Sequence, residues 1–517
     1  MHRSCRLLSL ITAALLLGAC DENNDNGDDT AGIVEPPAAP PTAPPAPQRG
    51  DLIDGEPALV ASYTPDELIG LVDAGELTEL LLAEILTPEC SIDIHHLKYQ
   101  TVDPAGNITP ASAALMVPNG PETFCQGERP IVMYAHGTAT DRAFNIADLG
   151  NTENGEGLLM AAVFAAEGYV VVAPNYVGYD TSTLGYHPYL NAEQQSMDMI
   201  DALTAARSAL PTSNAPSTVA AGRLLITGYS QGGFVAMATH RALQESGEPV
   251  TASAPMSGPY ALSAFGDALF QGRVTLGAPV NLTLLLTSYE NAYGDIYGAT
   301  TDVFEAQYAT GIDTLLPSTT PVGELQAQGL LPPDALFNST PPDPAYASLT
   351  PATTPAELAP VFALGFGPSP LLANTFRLAY LQDAAANPDG GFPTLTGNQP
   401  PANPGHTLRV ALKRNDLRNW TPTSPVLLCG GRDDPNVLYL NTELMQNFWA
   451  STTTVTVLDI DSPVATDDPF AAQKSQFEIA RGLVELEGGD DAVFERYHAG
   501  LVAPFCLSAV KSFFDGQ

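Results

Sequence analysis

Positive charge is what this chain lacks most. It has four lysines (Lys98, Lys413, Lys474 and Lys511), and 20 Lys and Arg together against 58 Asp and Glu, for a formal net charge of −38 and a pI near 4.2. A field of that sign repels polyanions before contact, which excludes nucleic acid as a partner and disfavours anionic substrates and anionic lipid headgroups. Neutral substrates remain. No H-E-x-x-H and no paired C-x-x-C occurs, and His95 and His96, adjacent on an expected strand, point to opposite faces. We therefore expect neither a catalytic metal nor a cofactor. With 44% apolar residues a sizeable core is within reach, and 517 residues suit one α/β core carrying a large insertion.

Near the start, the apolar stretch from Leu7 to Leu17 is too short to span a bilayer. It follows His2, Arg3 and Arg6 and ends in Leu17-Gly18-Ala19-Cys20, the layout of a targeting segment. That ending resembles a bacterial lipobox, which implies lipidation of Cys20, a membrane anchor, and export to the periplasm or cell surface. Residues 1–20 are then a signal peptide. Residues 21–57 are Asn/Asp-rich and then Pro/Ala-rich, with too little apolar surface to repay ordering, and are expected to form a disordered tether.

The body alternates. Short strands at 96–102 and 113–117 follow a helix-like segment at 65–86, and then apolar β-rich stretches and helix-like stretches take turns: 131–137, 157–167, 169–176, 192–210, 223–230, 232–246 and 251–258. The pattern resumes at 425–431, 439–450, 453–460, 470–486 and 502–514. This is the signature of a mainly parallel sheet covered on both faces, and an unbroken run such as Val170-Val171-Val172-Ala173 suits a strand buried on both sides. The interval 259–420, full of Pro, Gly, Thr and Leu, breaks the alternation and reads as a cap inserted after the sixth core strand. The core is thus expected in two parts, 58–258 and 421–517.

Gly228-Tyr229-Ser230-Gln231-Gly232-Gly233 stands where an apolar strand ends and a helix begins. A serine presented on so tight a turn takes strained backbone angles and crowds the positions two away, which must be small. Gly228 and Gly232 meet that demand.

With His136-Gly137-Thr138, the segment GYVVVAPNYVGYD (168–180), GYSQGG, a late strand ending GGRDDP and a final YHAGLVAPFC, the chain resembles the α/β-hydrolase family, and within it the lid-bearing lipases and carboxylesterases of the secretory-lipase type. The resemblance spans roughly residues 60–517 and is specific in those five patches. It implies an α/β-hydrolase fold and a Ser-Asp-His order along the chain. Ser230 is then the nucleophile. His498, alone among the eight histidines in following the acid-bearing strand, is the base. The acid is Asp434 or its neighbour Asp433; Asp434 is preferred because Pro435 follows it. The family's oxyanion donors fall on Gln231 and on Thr138, with Ala139 in reserve, while His136 is read as a brace of the loop. Tyr176, Tyr179 and His187 are candidates for the substrate pocket. So, from the cap, are Leu282 to Leu286, Leu315 with Leu316, and Phe362, Leu364 and Phe366.

With Cys5 cleaved away and Cys20 lipidated, Cys90, Cys125, Cys429 and Cys506 remain, an even number that suggests two disulfides in an exported chain. Of three pairings, Cys90–Cys125 and Cys429–Cys506 are preferred; the second would tie the acid-bearing strand to the helix after His498. The expected activity is hydrolysis of neutral carboxylic esters, polyesters included. A capped serine peptidase and a catalytically silent binding lipoprotein are the alternatives.

Overall fold

The computed structural model describes residues 46–72, 88–151, 155–210 and 218–517, with side chains described outside 218–221. Cys20, the targeting segment, residues 21–45 of the expected tether, and residues 73–86 of the first expected helix lie outside the described residues. Residues 50–53, expected at the end of that tether, instead lie along the strand Ser91–Val102, where the Gly50 N–H donates to the Gln100 carbonyl at 2.8 Å.

Nine strands form one sheet: β1 (Ala58–Tyr63), β2 (Ser91–Val102), β3 (Ile108–Asn119), β4 (Gly127–Ala135), β5 (Val170–Pro174), β6 (Thr218–Tyr229) and β7 (Ala252–Met256), a short pair apart from it, β8 (Phe337–Asn338) and β9 (Phe366–Gly367), then β10 (Val426–Gly430) and β11 (Val455–Asp459). The sheet order is β1-β2-β3-β5-β4-β6-β7-β10-β11. β1 to β3 join the sheet antiparallel, and every pairing from β5 onward is parallel. β2 and β3 form a hairpin in full register from Ser91↔Asn119 to Val102↔Ile108. Its turn is closed by the Asp103 carboxylate, which accepts the Ala105 and Asn107 N–H groups at 2.9 Å. β1, half-exposed at the sheet edge, was not legible in the sequence because its pattern runs directly out of the Pro/Ala-rich stretch.

The strands read as unbroken apolar runs because both faces are covered. All five residues of β5, β7 and β10 are buried. Along β4, Ile131 and Met133 belong to one cluster, and Val132 and Tyr134 to the other, with Phe505, Val510 and Phe514 of the last helix. Parallel strands place all their C-terminal ends along one edge, where loops from different strands converge.

Between β7 and β10 the chain folds mainly into helices, among them Leu262–Phe270, Ala278–Tyr293, Asn374–Ala386 and Thr407–Asn415. Their apolar residues are continuous with the core: Leu285, Leu372 and Leu412 share one cluster with Leu115 and Val172. The scarce cations are spent here. Arg409 meets Asp267 at 2.8 Å and Asp383 at 2.7 Å, and Arg418 meets Asp389 at 2.7 Å and Asp416 at 2.8 Å, with both arginines buried. Disulfides join Cys90 to Cys125 and Cys429 to Cys506. Among the described residues no helix is long and apolar enough to cross a membrane.

Removing one partner of a buried ion pair leaves the other charge unpaired, at a cost of about 3–5 kcal/mol. Arg409→Leu should therefore lower the urea unfolding free energy by about that much, and a double change with Asp267→Leu should recover only part of it, because Asp383 also loses its partner. A single variant as stable as the parent would contradict the role given to this pair.

Candidate active site

β6 ends in Tyr229, the helix Gln231–Ser246 starts at once, and Ser230 between them is held at φ 59° and ψ −121°. A non-glycine residue in that region is strained, and such strain persists only where the surroundings enforce it. Here they do. The Ser230 N–H donates to the Met256 carbonyl at 3.0 Å, tying the turn to β7. A β-carbon at Gly232 would fall on the Ala135 carbonyl and within 2.8 Å of the His136 oxygen, and one at Gly228 would meet the Gly232 and Ala135 oxygens. At Gly233 the obstacle is the Met256 oxygen.

Past β10, Asp434 is buried; its Oδ1 accepts the N–H groups of Asn436 at 2.9 Å and Val437 at 3.0 Å. Its Oδ2 lies 2.7 Å from His498 Nδ1. Asp433 points elsewhere, toward Arg481 at 3.5 Å, while its N–H donates to the Tyr497 hydroxyl at 3.1 Å. His498 sits in a π-helical turn, Tyr497–Val502, between the long helix Ala471–Arg496 and the last helix Ala503–Asp515. The Tyr229 hydroxyl donates to the His498 carbonyl, and the two rings lie 4.9 Å apart. His498 Nε2 is buried and makes no hydrogen bond. The Cys429–Cys506 disulfide joins the strand before Asp434 to the helix after His498.

Ser230 and His498 border one cavity of about 410 Å³, together with Thr138 and Gln231. The opposite wall is apolar and comes from the helices after β7, with Leu262, Phe265, Leu269, Leu282, Leu285 and Leu412. Of the cap residues singled out from sequence, Leu282 and Leu285 reach this wall; Leu316 and Phe362 are buried away from it and Leu364 is exposed.

Tyr176, Tyr179 and His187 do not line the cavity, which corrects their assignment to the substrate pocket. They are buried behind it, where they fix the loop that follows β4. The Tyr176 hydroxyl donates to the His136 carbonyl at 3.1 Å and the Tyr179 hydroxyl to the Ala139 carbonyl at 2.6 Å. His187 Nδ1–H donates to the Val177 carbonyl at 2.9 Å, which leaves Nε2 to accept from the Gln231 side-chain amide at 2.7 Å. Both ring nitrogens of His136 face carbonyl oxygens, that of Gly137 at 2.7 Å and that of Asn175 at 3.2 Å. A neutral ring has one N–H, and the shorter contact takes it. Holding the Gly137 oxygen fixes the plane of the next peptide, whose Thr138 N–H must point the other way. Burial drives the His136 imidazole down to about 4 and the His187 imidazole to about 3, so both are neutral at physiological pH.

Two residues of this region carried no sequence signal: Tyr189, whose hydroxyl meets Thr138 Oγ1 at 3.0 Å, and Glu156, whose carboxylate accepts the Gly137 N–H. Within GEGLLM a lone glutamate looks like any solvated helical residue.

No family model matches the chain, and neither does any curated protein. Solved structures do. The rice cell wall degrading esterase LipA from Xanthomonas oryzae is 24% identical, aligned over 88% of this chain and 99% of that one with a TM-score of 0.61. A protein of Legionella pneumophila described as a hydrolase is 19% identical over 90% of this chain and 97% of that one, with a TM-score of 0.62. The chain has the α/β-hydrolase fold. In the terms of that fold, Ser230 follows the fifth strand of the core, Asp434 the seventh, and the helical interval enters after the sixth.

The close contact at Gly232 generates a test. Gly232→Ala should cost about 1–3 kcal/mol, because only backbone can yield. Thermal unfolding of the variant beside Gly482→Ala, a glycine inside the helix Ala471–Arg496 whose β-carbon meets nothing within 4 Å, separates crowding from the general effect of losing a helical glycine. Equal losses in the two would contradict the packing argument.

Proposed function

We propose that this chain is a serine carboxylesterase acting on neutral esters through an acyl-enzyme. The observation that carries the reading is the bond between Asp434 and His498, which leaves the imidazole's Nε2 without a hydrogen bond while His498 and Ser230 border one cavity. His498 Nε2 takes the Ser230 proton as Oγ attacks the ester carbonyl, and Asp434 holds the ring by Nδ1–H and stabilises the imidazolium. The backbone N–H groups of Gln231 and Thr138 receive the oxyanion. His498 then gives its proton to the departing alcohol, the C–O bond breaks, and water activated by the same imidazole releases the acid. The helices after β7 act as a cap over this centre. Their apolar wall receives the acyl chain, and a cavity of about 410 Å³ suits a short to medium one. Polyester chain ends present the same bond.

The chain's net negative charge disfavours anionic substrates. The two disulfides fit an oxidising compartment outside the cytoplasm, and lipidation at Cys20 would hold the enzyme at a membrane there.

Turnover of nitrophenyl esters from acetate to palmitate, run beside aminoacyl nitroanilides, tests the reading. Ser230→Ala should remove about six orders of magnitude of ester kcat. Asp434→Asn should cost about 10⁴-fold in kcat at unchanged KM, whereas Asp433→Asn, whose carboxylate faces a partly exposed arginine and not His498, should cost less than about tenfold. Activity confined to nitroanilides would make the enzyme a peptidase, and none on either substrate would make it a binding protein.

A further inference from the structure

The triad and oxyanion donors leave one carboxylate of the cavity lining without a role. Glu156 lines the same cavity as Ser230 and His498, from the first turn of the helix Gly155–Val163. Its carboxylate straddles the Gly137 N–H at 3.1 and 3.0 Å and accepts the Tyr134 hydroxyl at 2.5 Å. The fit is tight: a β-carbon on Gly137 would lie 2.9 Å from Glu156 Oε1. Among the described residues no lysine or arginine forms an ion pair with it.

An acid desolvated in this way costs stability unless something repays it. Tyr134 is satisfied by any acceptor, and an uncharged amide would serve Gly137 as well. A negative charge has two specific uses here. It grips the peptide that precedes the oxyanion donor more strongly than a neutral group does, because hydrogen bonds to ionised acceptors are the stronger kind. It also lies within electrostatic reach of His498. The ionisable groups at this end of the sheet include Asp433 and Asp434 from the loop after β10, Asp459 and Asp461 at the end of β11, Glu156 from its helix, Tyr134 from β4, Tyr229 from β6, and Tyr497 beside His498 itself. Asp433, Asp459 and Asp461 are paired with Arg481 or Arg432, which leaves Asp434 and Glu156 as the carboxylates with no arginine partner to balance an imidazolium. Burial leaves the Glu156 carboxyl raised above the usual carboxylate range, with the Tyr134 and Gly137 bonds and the nearby His498 offsetting only part of that rise.

We propose that Glu156 is a second carboxylate of the active centre, a positioning residue that clamps the oxyanion loop through the Gly137 N–H and shares with Asp434 the stabilisation of the His498 imidazolium. The inference rests on the reading of Ser230, His498 and Asp434 as a triad. It is distinct from Asp434's role because Glu156 makes no hydrogen bond to the imidazole and acts through the loop peptide and through space.

Two variants separate the clamp from the charge. Glu156→Gln keeps an acceptor for Gly137 and removes the charge, whereas Glu156→Asp keeps the charge and withdraws it from the loop. Full pH profiles of ester hydrolysis are measured for both, with active-site concentration set by phosphonate titration so that misfolded protein does not count. For Glu156→Gln we expect kcat to fall about tenfold, and the acid limb of kcat/KM to move to lower pH by about half a unit, since one charge favouring the imidazolium is gone. For Glu156→Asp we expect a similar loss in kcat with the limb unmoved. A Glu156→Gln profile that superimposes on the parent, or that is lower without a shift, overturns the proposal; should that variant not fold, a Glu156→Asp enzyme with the parent's kcat does the same. Failure of the triad reading looks different: Ser230→Ala would then retain activity whatever Glu156 does.

Discussion

The site depends on how closely the start of the helix Gln231–Ser246 approaches the ends of β4 and β7. With no side-chain atom at Gly232 or Gly233, the helix settles onto the Ala135 and Met256 carbonyls, and the strand-to-helix connection shrinks to a single residue. That residue, Ser230, is forced to positive φ and its side chain onto the cavity. The same contact brings the helix's first N–H groups beside the loop that leaves β4, which is how Gln231 and Thr138 come to border one space from two strands. The strain at Ser230 is therefore offset by packing well outside the cavity.

Around this contact the molecule uses rigidity from unlike sources. The loop after β4 is held by polar bonds, with Tyr176, Tyr179, His136 and Glu156 each taking a backbone group, so each peptide there has one orientation. Asp434 and His498 belong to segments far apart in sequence, and the Cys429–Cys506 disulfide bridges those segments just outside the pair. The helices over the cavity share the core's apolar cluster and are riveted by Arg409 and Arg418 to buried aspartates. In a chain with so few cations, two of them are held inside against four aspartates, so even this buried cluster carries an excess of acid.

The alternation of strand and helix was legible because strands buried on both faces carry no polar positions to blur them, and GYSQGG was legible because the glycines are demanded by backbone contacts that no other residue satisfies. β1 was not, since a half-exposed edge strand beside a Pro/Ala-rich stretch has no distinctive period. The choice between Asp433 and Asp434 rested on the proline that follows; in the structure it is Asp434 that meets His498. Tyr176, Tyr179 and His187 were misplaced for a physical reason: aromatic residues next to a cavity loop suit a binding wall and a buried brace equally well, and only the direction of each side chain decides. Glu156 and the buried arginines were invisible because a charged residue reads as surface until its partners, distant in sequence, are brought to it.

The central claim is that one serine, on this turn, is a nucleophile activated by the His498–Asp434 pair. Incubation with an alkyl phosphonate ester followed by peptide mass spectrometry tests it without a choice of substrate. The account predicts a single adduct, on Ser230, that forms rapidly in the parent and is lost in a His498→Ala variant. An unmodified Ser230, or an adduct that forms equally fast without the imidazole, would contradict it.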